Sequence, residues 1–238
     1  MPNNQTLIIT PTYNEKENIV KLIPQIFQLV EGVDVLVIDD NSPDQTAELV
    51  KQMQNNYPNL KISSRPGKLG LGTAYISGFK QALAWGYKYI ITMDADFSHD
   101  PKYIPGLIDS LTNNDLVIGS RYIPGGGVKN WPLKRILLSR LGNLYAKTIL
   151  HTSVNDNTAG FMAIKTDFLR QLNLDAIRGQ GYAFLMELKY IFFTKRARIK
   201  EIPIVFVERV LGKSKISSNI IKEGLLMPWQ LRIKYGKK

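Results

Sequence analysis

Short apolar runs alternate with amphipathic stretches through the first 120 residues, and the alternation predicts repeated strand–helix units. Residues 5–10 (QTLIIT), 34–38 (DVLVI), 89–93 (YIITM) and 116–119 (LVIG) are apolar, rich in β-branched side chains and bounded by turn chemistry; 60–63 completes a five-strand series. Runs of this kind belong to strands buried on both faces, as in a parallel sheet. Between them, residues 18–30 repeat apolar side chains at helical spacing, and 70–85 supply another helix. Ser42-Pro43 reads as an N-cap followed by proline at the first helical position, with Gln45 closing a capping box. Asp100-Pro101 repeats that start signal before a helix over 102–111. The expected fold is α/β: an open, doubly wound, mostly parallel sheet flanked by helices, with ligands at the carboxyl ends of its strands.

After Arg121 the pattern changes. A glycine loop at 125–127 precedes an amphipathic helix over 133–150, in which Lys134, Arg135, Arg140 and Lys147 interrupt a leucine-rich face. A second helix is expected over 184–193 and a strand over 202–207 (IPIVFV), and the tail from 219 to 238 alternates apolar and basic residues. No internal repeat or linker divides the chain, so 238 residues form one large domain.

Composition narrows the class. Apolar residues make up 44% of the chain, which excludes disorder, and the absence of cysteine excludes disulfide scaffolds, zinc–thiolate sites and a cysteine nucleophile. No run approaches the ~18–20 apolar residues of a membrane span, and the start lacks a signal-peptide pattern, so a soluble or peripheral protein is expected. Charge is divided: residues 1–100 carry a net −3 and residues 101–238 a net +14. A basic second half suits a polyanionic partner such as nucleic acid, an anionic membrane or a phosphorylated substrate.

Three acidic features fall at expected strand ends: Glu15 in PTYNE, Asp39-Asp40, and Asp94-Ala95-Asp96 in MDADFSHD. Paired carboxylates suit Mg²⁺ or Mn²⁺, which take one or two carboxylates plus substrate phosphates. Gly70-Leu71-Gly72 lacks the third glycine of a dinucleotide fingerprint, because Tyr75 stands there, and no P-loop motif occurs. The two histidines, His99 and His151, sit in no recognisable triad; His99 reads as a cap behind the site.

The ordered set PTYNEKENI, VIDDNSPDQT, RPGKLGLGTAYISGF, MDADFSHDP, IGSRYIPGG and EIPIVFVERVLGKSK resembles the dolichol-phosphate (polyprenyl-phosphate) mannosyltransferases among the family 2 GT-A glycosyltransferases. The resemblance runs from about Leu7 to Lys215. It implies a GT-A catalytic domain over 1–215, with a nucleotide-binding half (1–120), an acceptor half (121–215) and a basic amphipathic segment (216–238). It implies transfer of mannose from GDP-mannose to a polyprenyl or dolichyl phosphate with inversion, using Mg²⁺ or Mn²⁺. By position, Pro11, Tyr13, Glu15, Ile38 and Asp40 would contact the donor nucleoside, and Asp94, Ala95 and Asp96 its diphosphate. Asp94, Asp96 and Arg209 would be catalytic; Asp94 and Asp96 would hold the metal, with Ser98 as a weaker third oxygen where some relatives carry glutamine. Arg121, Arg209 and Lys215 would bind the donor, contacting the phosphates of donor or acceptor, and Arg135, Ser139, Glu187 and Lys215 would bind the acceptor.

The chain departs from the family pattern in places. Ala159-Gly160-Phe161-Met162 replaces a common GSFR, and Leu185 a common glutamine, while Glu187 is kept. Many relatives add transmembrane helices; here the expectation is peripheral binding to the cytoplasmic face of a membrane through the amphipathic helices, with or without a small membrane-anchoring subunit. Two alternatives stay open: a UDP-sugar donor such as UDP-glucose, and a hydroxyl acceptor that would need a carboxylate base such as Asp156 or Glu187. A nucleic-acid-binding module is disfavoured, since no RRM, KH or helix-turn-helix signature accompanies the charge.

Overall fold

The structure, a computed structural model, describes residues 5–208 and 218–236, the side chains of 218–223 excepted. Nine strands are present among the described residues: β1 (Thr6–Thr12), β2 (Asp34–Asp39), β3 (Leu60–Ser64), β4 (Tyr89–Thr92), β5 (Leu116–Ser120), β6 (Gly127–Lys129), β7 (Met162–Lys165), β8 (Ile199–Pro203) and β9 (Val205–Val207). The helices are α1 (Lys16–Leu29), α2 (Thr46–Met53), α3 (Leu71–Ala84), α4 (Ile104–Ser110), α5 (Leu133–Leu150), α6 (Thr166–Leu169), α7 (Tyr182–Thr194) and α8 (Ser218–Tyr235). Seven strands form one sheet in the order β3-β2-β1-β4-β7-β5-β8, parallel except for β7. Strand β1 pairs with β2 on one side and β4 on the other, so the chain reverses direction across the sheet there. That switch point opens a crevice at the strands' carboxyl ends.

Both faces of β1 are covered, as its continuous apolar run requires. Leu7 and Ile9 pack with α3 and α7 (Tyr75, Phe79, Phe184, Leu188), whereas Ile8 packs with α1 and α4 (Ile19, Ile23, Leu107). Helix α3 lies close to the sheet at Gly78, where an added Cβ would sit 2.8 Å from both Ile9 and Ile38. A third cluster, Ala146, Leu150, Met186, Tyr190 and Leu231, joins α5, α7 and α8.

Three elements differ from the sequence reading. Helix α2 starts at Thr46, capped by Asp44 Oδ1, which accepts the Thr46 N–H at 3.0 Å, while Gln45 is left-handed (φ 65°). Ser42 is unavailable as a cap because its hydroxyl donates to Asp39 (2.5 Å) and accepts the Asn14 N–H (3.0 Å). The expected strand over 202–207 is two strands. Ile204 breaks it by bonding both Ser120 and Gly127, so that β8 stays in the main sheet and β9 pairs with β6. Strand β7, only four residues long, enters antiparallel between β4 and β5, and ties the second half of the chain into the first half's sheet. Helix α3 and helix α5 lie where the periodicity put them.

Candidate active site

The carboxyl ends of β1, β2, β4 and β5 open into one cleft of about 800 Å³ that continues between α5 and α8. On its first wall, Pro11, Tyr13 and Glu15 follow β1, and Asp40 follows β2. Asp40 is fixed by Arg65 (Nε 2.6 Å) and by the Leu69 N–H (3.3 Å), which tethers the loop between β3 and α3. That loop lays the Lys68 ammonium 4.1 Å above the Tyr13 ring. Ile38 does not line this wall: its side chain is fully buried in the core under α3, packed beside Gly78, before β2 reaches the cleft.

Asp94, Ala95 and Asp96 follow β4 and line the floor. The Tyr75 hydroxyl, buried under the floor, donates to Asp94 Oδ1 at 3.2 Å. Burial first, and the neighbouring Asp94 charge second, push that phenol well above its ordinary value, so it remains a donor. The Asp94 N–H donates to His99 Nδ1 at 3.0 Å, which assigns the imidazole proton to Nε2. Burial lowers the His99 pKa against the opposing charges of Asp94 and Asp96, and its ring stacks on Phe161 at 4.9 Å. Ser98 donates through N–H (3.1 Å) and Oγ (2.5 Å) to Asp96 Oδ1, a turn that places Phe97 in the left-handed region (φ 61°).

Cations and aromatic rings form the next stretch. Arg121 grips Asp156 with a two-pronged contact (Nε–Oδ2 and Nη2–Oδ1, both 2.7 Å) and Thr158 at 2.7 Å, between the rings of Tyr122, Trp131 and Phe206. Burial would raise the Asp156 carboxyl, but the charge and hydrogen bonds of Arg121 hold it below its ordinary value. Arg135 pairs with Glu208 and lies 3.9 Å over Trp131, and its buried Nε has no hydrogen-bond partner among the described residues. Ser139 accepts the Tyr122 hydroxyl at 2.6 Å. Behind Thr158, the buried Lys189 ammonium donates to the carbonyls of Asn157 (3.1 Å) and Ala159 (2.6 Å), and burial pushes its pKa down to about 7. Beyond these groups the cleft turns apolar, with Leu138, Leu141 and Tyr145 of α5 facing Leu225 and Met227 of α8.

Of the residues singled out in the sequence, the cleft brings together Pro11, Tyr13, Glu15, Asp40, Asp94, Ala95, Asp96, Ser98, Arg121, Arg135 and Ser139. Glu187 is elsewhere: its carboxylate faces away from the cleft and binds the N–H groups of Arg178 and Gly179 together with Lys234 and Tyr235 of α8. Arg209 and Lys215 lie outside the described residues. Sequence reasoning missed Lys68, Trp131 and Phe206 on the cleft wall. It also met Tyr75 only as a missing glycine, although a tyrosine one turn into a helix that starts beside a strand-end carboxylate was a usable signal.

Among the described residues no group of three or more His, Cys, Asp or Glu side chains stands ready to enclose a metal. Two carboxylates in an open, phosphate-sized cleft still fit Mg²⁺ or Mn²⁺, which complete their shells with substrate phosphate and water.

A doubly wound sheet with an Asp-Ala-Asp floor at its switch point is the GT-A architecture of nucleotide-sugar-dependent glycosyltransferases. Residues 7–172 match the glycosyl transferase family 2 model, and the chain belongs to that family. It is 38% identical over 235 residues to polyprenol monophosphomannose synthase of Mycolicibacterium smegmatis (97% of this chain, 89% of the relative). It is 41% identical over 241 residues to undecaprenyl-phosphate mannosyltransferase of Micrococcus luteus (98% and 99%). In fold it is similar to glucosyl-3-phosphoglycerate synthase of Mycobacterium tuberculosis, solved with Mn²⁺, UDP and glucosyl-3-phosphoglycerate (TM-score 0.68, 19% identity, 98% and 81% covered). It is also similar in fold to a mannosyltransferase of Pyrobaculum calidifontis, solved with GDP-Man and Mn²⁺ (TM-score 0.66, 17% identity, 100% and 67%).

Proposed function

We propose that this protein moves mannose from GDP-mannose to a polyprenyl phosphate, with inversion, at a membrane surface. The observation that carries this reading is the make-up of one continuous cleft: a carboxylate floor, then largely buried cations, then an apolar channel between two helices. A nucleoside diphosphate sugar suits the first, an acceptor phosphate the second and an isoprenoid chain the third.

In this reading Tyr13, Glu15 and Asp40 bind the nucleoside, and Asp94 and Asp96 would hold Mg²⁺ or Mn²⁺. The bound ion supplies positive charge that stabilises the departing diphosphate. Arg121 and Arg135 bind and orient the acceptor phosphate. An acceptor phosphate oxygen attacks the anomeric carbon; the bond from that carbon to the diphosphate oxygen breaks, and its electron pair leaves with GDP. A single displacement turns an α-linked donor into a β-linked product. The acceptor's second pKa is near ~6, so it arrives mostly as a dianion and needs no base. The two carboxylates that a hydroxyl acceptor would call on are committed: Asp156 is gripped by Arg121, and Glu187 faces away from the cleft.

The membrane assignment rests on α5 and α8. Leu133, Leu137, Leu141 and Leu144 are exposed on α5, and Leu225, Leu226, Trp229 and Ile233 on α8, beside Lys134, Arg140 and Arg232. Such a face lies in an interface with its cations at lipid phosphates. No helix among the described residues is long and apolar enough to cross a membrane.

Two outcomes follow for the donor side. With Mn²⁺ present, GDP should stabilise the protein by about 2.7 kcal/mol at a hundredfold excess over Kd, read as a thermal shift, with UDP well behind; a response to UDP alone would contradict the mannose donor. Tyr75→Phe removes the buried donor to Asp94 and should weaken Mn²⁺-dependent GDP binding about 10-fold in a calorimetric titration. Unchanged Mn²⁺ dependence would mean that Tyr75 does not hold Asp94 for the metal.

A further inference from the structure

One buried carboxylate joins the C-terminal helix to the cleft. Glu187 on α7 is 2% exposed and divides its two oxygens between different elements. Oε2 accepts the N–H groups of Arg178 (3.1 Å) and Gly179 (2.8 Å); Oε1 accepts the Lys234 ammonium (2.9 Å) and the Tyr235 hydroxyl (2.7 Å) of α8. The loop it holds leads directly into Gln180, Gly181 and Tyr182, which line the cleft. That loop is seated against the first turn of α3: a Cβ at Gly72 would lie 2.6 Å from the Gly179 carbonyl oxygen. Helix α3 carries Tyr75, the donor to Asp94. A contiguous set of contacts therefore runs from α8 through Glu187 and the loop to α3 and the Asp94 carboxylate. At its far end, α8 buries Leu231 against α5 and α7 and turns Leu226, Trp229 and Ile233 outward.

We propose that Glu187 is a positioning residue through which the seating of α8 on a lipid surface sets the wall of the cleft, so that the surface raises kcat and does not merely concentrate the acceptor. The proposal rests on the polyprenyl-phosphate reading above. With all four hydrogen-bond donors in place, Glu187 has no slack. If α8 shifts, Oε1 loses Lys234 and Tyr235 inside the protein, and an unpaired buried carboxylate oxygen is costly enough to pull the group off its other partners. The Arg178 and Gly179 N–H groups then lose their acceptor, and the loop against α3 is released. Docking α8 on lipid favours the arrangement in which all four bonds are made.

The test is steady-state transfer to a short, water-soluble polyprenyl phosphate at saturation, with and without anionic phospholipid vesicles that contain no polyprenyl phosphate. Vesicles should raise the wild-type kcat about 10-fold. Two variants address opposite ends of the contact: Glu187→Gln within the core, and the double variant Lys234→Met with Tyr235→Phe on α8. Both should still sediment with vesicles, yet their kcat with vesicles should stay within about twofold of the vesicle-free value. A full vesicle effect in both variants, or none in the wild type, would overturn the proposal. So would a drop in kcat of equal size with and without vesicles, since that is what loss of a purely structural contact produces. Failure of the wild type to transfer sugar to any polyprenyl phosphate would instead overturn the functional reading beneath it.

Discussion

Asp96→Ala is expected to lower sugar transfer by about 10³-fold or more while leaving the fold intact. Asp96 stands at the loop end of β4, where the Ser98 N–H and hydroxyl orient its Oδ1. In the proposed reading, losing it removes half of the carboxylate pair that would hold a divalent ion, and hence the charge that would steady the departing diphosphate. The loss should fall on kcat more than on acceptor KM, because in the proposed reading the acceptor phosphate is bound by Arg121 and Arg135 on the other wall. Circular dichroism and the thermal midpoint should be close to those of the wild type, since the side chain contributes little to the core. Activity within tenfold of the wild type would remove Asp96 from the mechanism.

Asp156→Ala should have the largest effect on stability. The carboxylate is fully buried and is the two-pronged partner of Arg121, which is itself 5% exposed. Removing one member of a buried pair leaves the other charge uncompensated and costs about 3–5 kcal/mol. In a chain of this size that corresponds to a fall of about 10 °C in Tm. The pair also sets an acid limit. Because Arg121 holds Asp156 below the usual carboxylate value of 3.8, its contribution is fully present above that value. It is lost as the pH falls through the lower folded-state value, because the unfolded chain then takes up the proton first. The double variant Asp156→Leu with Arg121→Met should recover most of the stability, since a well-packed apolar pair can replace a buried ionic one. It should not recover transfer, because the cation proposed to bind the acceptor phosphate is gone. Recovery of both would show that Arg121 serves the fold alone.

Much of this was legible in the chain. The five strand runs and the helix over 133–150 carry strong periodicity, and the structure keeps them because continuous apolar runs must be covered on both faces. The acidic strand ends were legible for the same reason: once the strands are placed, their carboxyl ends must converge at the switch point. What failed to show was set by contacts distant in sequence. Strand β7 is four residues long and becomes a strand only because β4 and β5 offer it two edges. The N-cap at Ser42 failed because Asp39 and Asn14 claim its hydroxyl. Ile38 has the right neighbours for a nucleoside contact, but its side chain is taken up by the core under α3. Glu187 was expected at the acceptor because it is kept within a familiar motif. Its real partners, Lys234 and Tyr235, lie almost fifty residues away on a helix whose position no local pattern reveals.

The proposed reaction passes mannose from GDP-mannose to a lipid phosphate within one cleft and without a base. It is tested most directly by incubating the purified protein with Mn²⁺ or Mg²⁺, GDP-mannose labelled in the sugar, and a short polyprenyl phosphate. The organic-extractable label is then counted, and the anomeric configuration of the product determined. The expected result is metal-dependent, lipid-extractable label in a β-linked mannosyl phosphate. No extractable label, label from a UDP-sugar but not from GDP-mannose, or an α-linked product would contradict it.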